Sequence, residues 1–296
     1  FPGHIDVPVD KLAGLLSGIT VIFDAFISTY ERTIVDMKMG AAYGPTALRC
    51  FLADALAGNL ADTVVMDTDS HSDYYAESFF VSRRKFRRLW VGADDERTFP
   101  LPDVPENPRF TAFCYSSYLA LHGMEYIVEA AHILQSRGEA VHFLAPGKGH
   151  VYPQTVALAK KLGVKNMEFT DGWIPLESIP RHMAESSVCL GIFGASPKTQ
   201  RVIPHKVFDA LAMRRPVITA DTPGAREALT HGENAWLCEP GSGEALAEAI
   251  LTLKRDPELR RRLAENGYRL YREKFSIDAL SRDIPEIIAH APVSLV

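Results

Sequence analysis

Cysteine is scarce: four residues in 296, Cys50, Cys114, Cys189 and Cys238, far apart and without paired spacing. That argues against a disulfide framework or a zinc site, and makes a reducing cytoplasm the expected compartment. No apolar run approaches the ~20 residues that a membrane-crossing helix needs. Neither sign of charge dominates. A net charge of −5 and a sequence pI of about 6.1 give no global attraction to nucleic acid, so none is expected as a partner. Internal repeats and low-complexity segments are lacking. The opening FPGHIDVP is neither a charged leader nor an apolar signal segment, and without Met it leaves the natural start open.

What is present is a globular composition, 47% hydrophobic and 23% charged, enough for one large or two medium domains. Short apolar runs predict buried strands at Thr20–Phe23, Thr63–Met66, Phe110–Cys114, Ala140–Leu144, Ser187–Ile192 and Pro216–Ala220. Between them lie segments of helical period, such as Gly123–Gln135 and Pro153–Leu162. Strands alternating with helices predict a parallel sheet covered on both faces. The proline-rich FPLPDVPENP, Phe99–Pro108, fits neither helix nor central strand and is the expected domain boundary. Three helices are expected at the end: Gly243–Lys254, Pro257–Lys274 and Ile277–Ala289.

The segment Ser196–Leu229 carries the most chemistry. Lys198 and Arg201 sit in an expected loop, a helix is expected from Pro204, and Asp221-Thr222-Pro223-Gly224 opens another. Such a loop and helix start, at the strand ends of an open sheet, suit an anion. Lys206 and Asp209 fall on one helix face. One reading is a surface ion pair. The other is a cation for phosphate and a carboxylate for sugar hydroxyls, as a nucleotide sugar would require.

Several stretches, in this order, resemble the group 1, retaining family 4 glycosyltransferases. They are VGADDERTFP (Val91–Pro100), YSSYLALHG (Tyr115–Gly123), FLAPGKG (Phe143–Gly149), FTDGWIPLESIPRHM (Phe169–Met183), the central segment, ENAWLCEPGSGEALAEAI and DPELRRRLAENGYRLYREKFS. The resemblance implies an α/β fold of two Rossmann-like domains (GT-B) with a cleft between them. It implies a partial N-terminal domain over 1–98, a donor domain over 109–275, and a last helix, 276–296, crossing back. The implied activity is transfer of a sugar from a nucleotide-diphosphate sugar to an acceptor hydroxyl, with retention and no active-site metal or other cofactor. A non-catalytic nucleotide-sugar-binding remnant and a sugar-nucleotide epimerase are the alternatives.

By the same resemblance Asp209 matches the second glutamate of the family's E-x7-E motif, the ribose contact. Ile174 and its neighbours match the base-contacting loop. Asp24 falls near a histidine beside the donor sugar; a strand-end aspartate capping the next helix explains it equally well. The chain departs from the pattern elsewhere. The first glutamate is Arg201, the glycines after it are Val202 and Pro204, and the diphosphate-clamping arginine and lysine are Ser117 and His122. Lys198, Arg201 and Lys206 are expected to compensate, so Asp24 and Arg201 are the catalytic candidates. Ser117, His122, Trp173, Ile174, Lys198, Lys206 and Asp209 are the donor-binding candidates. The N-terminal domain is expected to lack its first strands and glycine-rich turn.

Other residues carry two readings each. His71, in DTDSHSDYY, suits a metal site, but its spacing fits a polar helix start better. Arg83, Arg84, Lys85, Arg87 and Arg88 suit anionic lipid or a phosphorylated acceptor, or else form a solvated edge before a strand to Val91. His122 suits donor phosphates or a satisfied loop position. Gly147-Lys148-Gly149 is a phosphate loop or, more often, a tight turn. Trp173 stacks on a base or, as the safer expectation, packs in the core. Arg226 and Glu227 are expected to support the turn at Pro223.

Overall fold

The computed structural model describes residues 3–289. The chain divides into two compact units. One takes in the described residues up to Trp90 together with those from Leu280 onward; the other is Val91–Ala279. The proline-rich stretch therefore lies within the second unit.

In the first unit three parallel strands stand in chain order: β1 (Ile22–Asp24), β2 (Thr63–Met66) and β3 (Phe86–Arg88). Helices α1 (Val7–Ser17), α2 (Pro45–Leu60) and α3 (Asp69–Ser78) accompany them, with a π-helical turn at Glu31–Asp36. Val64, Met66, Tyr75, Phe79 and Phe86 are buried together as its core. The basic run is not an edge ahead of a strand. Arg83–Lys85 forms a 3-10 turn and Phe86–Arg88 is itself the strand, held by β2 and by burial of Phe86.

In the second unit six parallel strands are β4 (Thr111–Phe113), β5 (His142–Gly147), β6 (Met167–Asp171), β7 (Val188–Leu190), β8 (Val217–Ala220) and β9 (Trp236–Cys238). Their order is β6-β5-β4-β7-β8-β9. The helices are α4 (Met124–Ser136), α5 (Tyr152–Leu162), α6 (Ile179–Glu185), α7 (His205–Ala212), α8 (Pro223–Arg226), α9 (Gly243–Arg255) and α10 (Pro257–Lys274). The last helix, α11 (Ile277–Ala289), starts here and its residues from Leu280 group with the first unit.

Local chemistry explains the boundaries. Thr222, Ser242 and Asp256 each accept a backbone N–H three residues on, capping α8, α9 and α10. Pro223 and Pro257 occupy the first helical turn, where no hydrogen bond is lost. Ile127, Leu134, Phe143, Leu190, Ile218, Leu246, Ile250 and Leu263 bury their side chains between helices and sheet. Each contributes about 1.5–3 kcal/mol of apolar burial.

Candidate functional site

Strand order reverses between β4 and β7, which lie side by side. In an open parallel sheet the crevice at such a reversal, beyond the carboxyl ends of the strands, receives the ligand. The two loops that leave those ends are joined by hydrogen bonds. The N–H of Phe193 donates to the His122 carbonyl at 3.1 Å, and that of Gly194 to the Leu121 carbonyl at 3.2 Å. The Thr199 hydroxyl donates to the same Leu121 carbonyl at 3.3 Å.

Neighbouring turns press against this pair of loops. A Cβ on Gly147 would stand 1.8 Å from the Ser116 carbonyl oxygen, and the backbone there has φ +143°. Gly149 makes the same approach to the Ser117 carbonyl. The Gly147-Lys148-Gly149 stretch is thus a turn whose glycines exist for close packing, with Lys148 exposed. Gly224 lies against the backbone of Arg201, and its N–H donates to the Gln200 carbonyl at 2.9 Å.

Helix α7 starts beside these loops, and its first turn holds His205 and Lys206. Cations at a helix N-terminus oppose the macrodipole. Lys206 is only 6% exposed. Its Nζ donates to the Cys114 sulfur at 3.7 Å and lies 5.6 Å from the centre of the Tyr115 ring. Among the described residues no carboxylate pairs with it. Lys206 and Asp209 do not form the surface ion pair that their spacing allows, because both are buried and each turns to other partners.

Asp209 receives the Tyr115 hydroxyl and the His205 Nδ1–H, the latter at 3.0 Å, both on Oδ2. Its Oδ1 is buried with no hydrogen-bond partner. Burial, then the Asp209 charge, pushes the Tyr115 hydroxyl far up. The hydrogen bond to Asp209 holds the His205 imidazole above its ordinary range, and Asp94 adds to this.

His122 is nearly buried and behaves oppositely. Burial, then the positive charges of Lys206 and Lys198, drives its pKa well below the ordinary value. Ser116 Oγ accepts the Tyr118 N–H at 2.9 Å, which frees its own proton for His122 Nδ1 at 2.7 Å. The ring is therefore neutral, and in the tautomer whose Nδ1 accepts the Ser116 hydroxyl it carries its proton on Nε2.

The remaining sequence candidates fall as follows. Lys198 is buried to 6% exposure and Arg201 is half-buried, both on the β7–α7 loop. Ser117 is half-buried after β4. Ile174 is half-buried and Trp173 is 67% exposed, on the loop after β6 where Gly172 bridges Gly147. Trp173 is not a core residue: the chain leaves the sheet at Asp171 and carries the indole outward. Arg226 pairs with Asp221 across the turn at Pro223. Tyr115, Ser116 and His205 went unmarked in the sequence, although the first two lie in YSSYLALHG and the third adjoins Lys206.

Asp24 belongs to the first unit, at the end of β1. Burial, then the charge of Asp67, raises its carboxyl. It caps no helix: the next helical turn is held by Ser28 Oγ and by Asp54, which accepts the N–H groups of Thr29 and Tyr30. His71 lies buried in α3, its Nδ1 2.8 Å from Asp67 and its Nε2 3.6 Å from Glu31. Its backbone N–H donates to Thr68, the helix cap. Among the described residues no group of three or more potential ligands stands ready for a metal ion. A cavity of about 910 Å³ opens beside Phe110, Val141 and Asn166, at the opposite end of the strands, and includes none of these candidates.

A six-stranded parallel sheet with paired loops, buried cations and an orphaned carboxylate oxygen at its reversal point has its candidate ligand crevice there. Comparison with known proteins gives the family. The model for glycosyl transferases group 1 matches residues 102–270, more than half of the chain. The chain belongs to that family of transferases.

It is 30% identical over 157 residues to alpha-D-kanosaminyltransferase of Streptomyces kanamyceticus, covering 53% of this chain and 39% of that protein. It is 26% identical over 132 residues to the amylovoran biosynthesis glycosyltransferase AmsK of Erwinia amylovora, covering 44% and 32%. The match thus spans less than half the length of these curated relatives. The fold is similar to that of HepE from Anabaena, solved with UDP and glucose, at TM-score 0.76 and 18% identity. That likeness covers 99% of this chain and 76% of the other.

Proposed function

We propose that the chain transfers a sugar from a nucleotide-diphosphate sugar to an acceptor hydroxyl, with retention, as a family 4 enzyme of GT-B type. The observation that carries this reading is the buried ammonium of Lys206 at the sheet reversal, in the first turn of α7, with no carboxylate partner among the described residues. Burying a cation costs several kcal/mol unless an anion joins it. A diphosphate is the anion that suits this place. The Nε2–H of neutral His122, together with Lys198 and Arg201, supplies further donors. Asp209 offers a carboxylate for ribose hydroxyls, and Trp173 and Ile174 border the place for the base.

In this reading the bond between the anomeric carbon and the phosphate oxygen breaks, and its electron pair passes to the diphosphate. The acceptor oxygen bonds to the same carbon, and its proton passes to the departing phosphate. Stabilising charge on the leaving diphosphate is the main contribution of the side chains, and no metal or other cofactor is invoked. HepE, solved with UDP-glucose, makes a uridine donor a sensible first probe.

The test is calorimetric titration with a panel of nucleotide sugars, followed by assay for nucleotide-diphosphate release. Binding with slow release supports a transferase. Binding without any release argues for a binding remnant, release with an altered sugar for an epimerase, and no binding refutes the reading.

Among the described residues no helix is long and apolar enough to cross a membrane. A cytoplasmic, membrane-peripheral setting remains part of the proposal, through the basic run of β3. Arg83 and Arg88 pair with Asp69, and Arg83 also with Asp73. Lys85 donates to the carbonyls of Asn59 and Ala61, and Arg87 to those of Arg84 and Phe86, so anionic lipid would meet exposed Arg84 first and Arg87 through its remaining N–H groups. Co-sedimentation with phosphatidylserine vesicles tests it, and equal sedimentation with neutral vesicles would remove it.

A further inference from the structure

We propose that His205 is a further, titrating cationic contact to the donor diphosphate, so that this chain holds its donor more tightly in the protonated state. The inference rests on the reading of the site as a nucleotide-sugar site and adds a residue that the motif comparison did not mark.

The geometry is specific. His205 is the first residue of α7, adjacent to Lys206. Its Nδ1–H is committed to Asp209 at 3.0 Å, while about half of the side chain stays exposed. Nε2 is thus the ring nitrogen left for a ligand. A neutral ring with Nδ1 protonated offers only a lone pair at Nε2, which repels a phosphate oxygen; the imidazolium offers a donor with positive charge.

Two buried side chains point independently to a ligand here: Lys206, without a carboxylate partner among the described residues, and Asp209, whose Oδ1 has no hydrogen-bond partner. A protonated histidine at a helix N-terminus works against the macrodipole, and its place beside a second cation is a local conflict of the kind that functional sites carry.

The charged and titratable groups around the ring define the sign. Asp209, one turn on along α7, and Asp94, from the segment before the proline-rich stretch, favour the charged ring. Tyr115, from the β4 loop, shares Asp209 but stays neutral, since its hydroxyl is pushed far up. Lys206 opposes protonation and is itself offset once an anion arrives. His205 is therefore charged below the ordinary histidine range and loses that charge as pH rises through its elevated value. His122 titrates well below this window and stays neutral across it.

The experiment uses the full chain and the nucleotide sugar from the panel that binds best, with UDP-glucose as the first probe. Its pyrophosphate diester does not titrate between pH 6 and 8.5. The dissociation constant is measured at intervals over that range. The unaltered chain is expected to weaken about three- to tenfold as pH rises, the loss of one half-exposed charge-assisted bond. His205→Gln should bind at the weak level throughout, with a flat profile. His205→Lys should stay tight to the top of the range, because its charge persists. Parallel slopes in all three proteins would overturn the role of His205 while leaving the donor site standing. Absence of binding by every nucleotide sugar at every pH would overturn both.

Discussion

Replacing Lys206 by methionine separates stability from binding by sign. In the ligand-free chain the ammonium is 6% exposed, with a thiol sulfur and an aromatic face as its contacts. An effective burial penalty of several kcal/mol per ion is only partly offset by a cation–π contact of about 0.5–2 kcal/mol. Methionine has similar length, packs against aromatics and carries no charge to desolvate. The variant should therefore be more stable than the parent, by about 1–2 kcal/mol. For a domain of this size each kcal/mol moves the melting point by about 2–4 °C. Donor affinity should move the other way. One hydrogen bond to a charged group is worth about 1.5–3 kcal/mol, a loss of about 10- to 150-fold. Fluorimetric melting without ligand and calorimetric titration with UDP-glucose read the two effects. A lower melting point with unchanged affinity would refute the reasoning, because it would make Lys206 a structural cation with its partners already in place.

Other perturbations follow from the same geometry. Gly147→Ala puts a Cβ 1.8 Å from the Ser116 carbonyl and should cost at least about 3 kcal/mol in urea unfolding. Gly138→Ala, at φ +71° with nothing within 4 Å, should cost about 1 kcal/mol; equal costs would contradict the packing argument. Trp173→Ala removes a largely exposed indole and should leave stability within about 0.5 kcal/mol. It should weaken donor binding by about 1–3 kcal/mol of base stacking, and unchanged affinity would remove Trp173 from the site. Two buried histidines, His71 and His122, should tilt stability in opposite directions with pH. His71, raised by Asp67 and Glu31 against its burial, stabilises fully below the unfolded histidine pKa of about 6.5. That gain fades as pH rises through its folded value, so the deficit of His71→Gln should shrink from pH 6 to 9. His122, lowered by burial and two lysines, disfavours folding as pH falls below about 6.5, because the unfolded chain takes the proton first. His122→Gln should therefore lose less stability than the parent on acidification, and melting curves across pH 5–9 check both.

The sequence was legible where burial is two-sided. Strands β2, β4, β5, β7 and β8 read as apolar runs because helices or neighbouring strands cover them. Strands β6 and β9, which the sequence did not reveal, and β3, read only as a strand to Val91, stand at sheet edges; β1 is an edge too, and was legible because Val21 and Phe23 are buried. An edge strand hydrogen-bonds on one side only and need not be apolar throughout, so FRR and MEFTD lack the pattern of a buried run. Helices α9, α10 and α11 were legible because their caps and periods agree. In the site, residue type was legible but partnership was not. Spacing pairs Lys206 with Asp209; folding instead brings Tyr115, 94 positions away, onto Asp209, and Cys114, 92 positions away, onto Lys206. Contacts at such separation leave no local trace. What remains on α7 is a helix whose first turn is cationic, whose lysine is buried, and whose aspartate keeps one oxygen unpaired. Each violates a local rule on its own. Together they are consistent only if something anionic and hydroxyl-bearing belongs beside them.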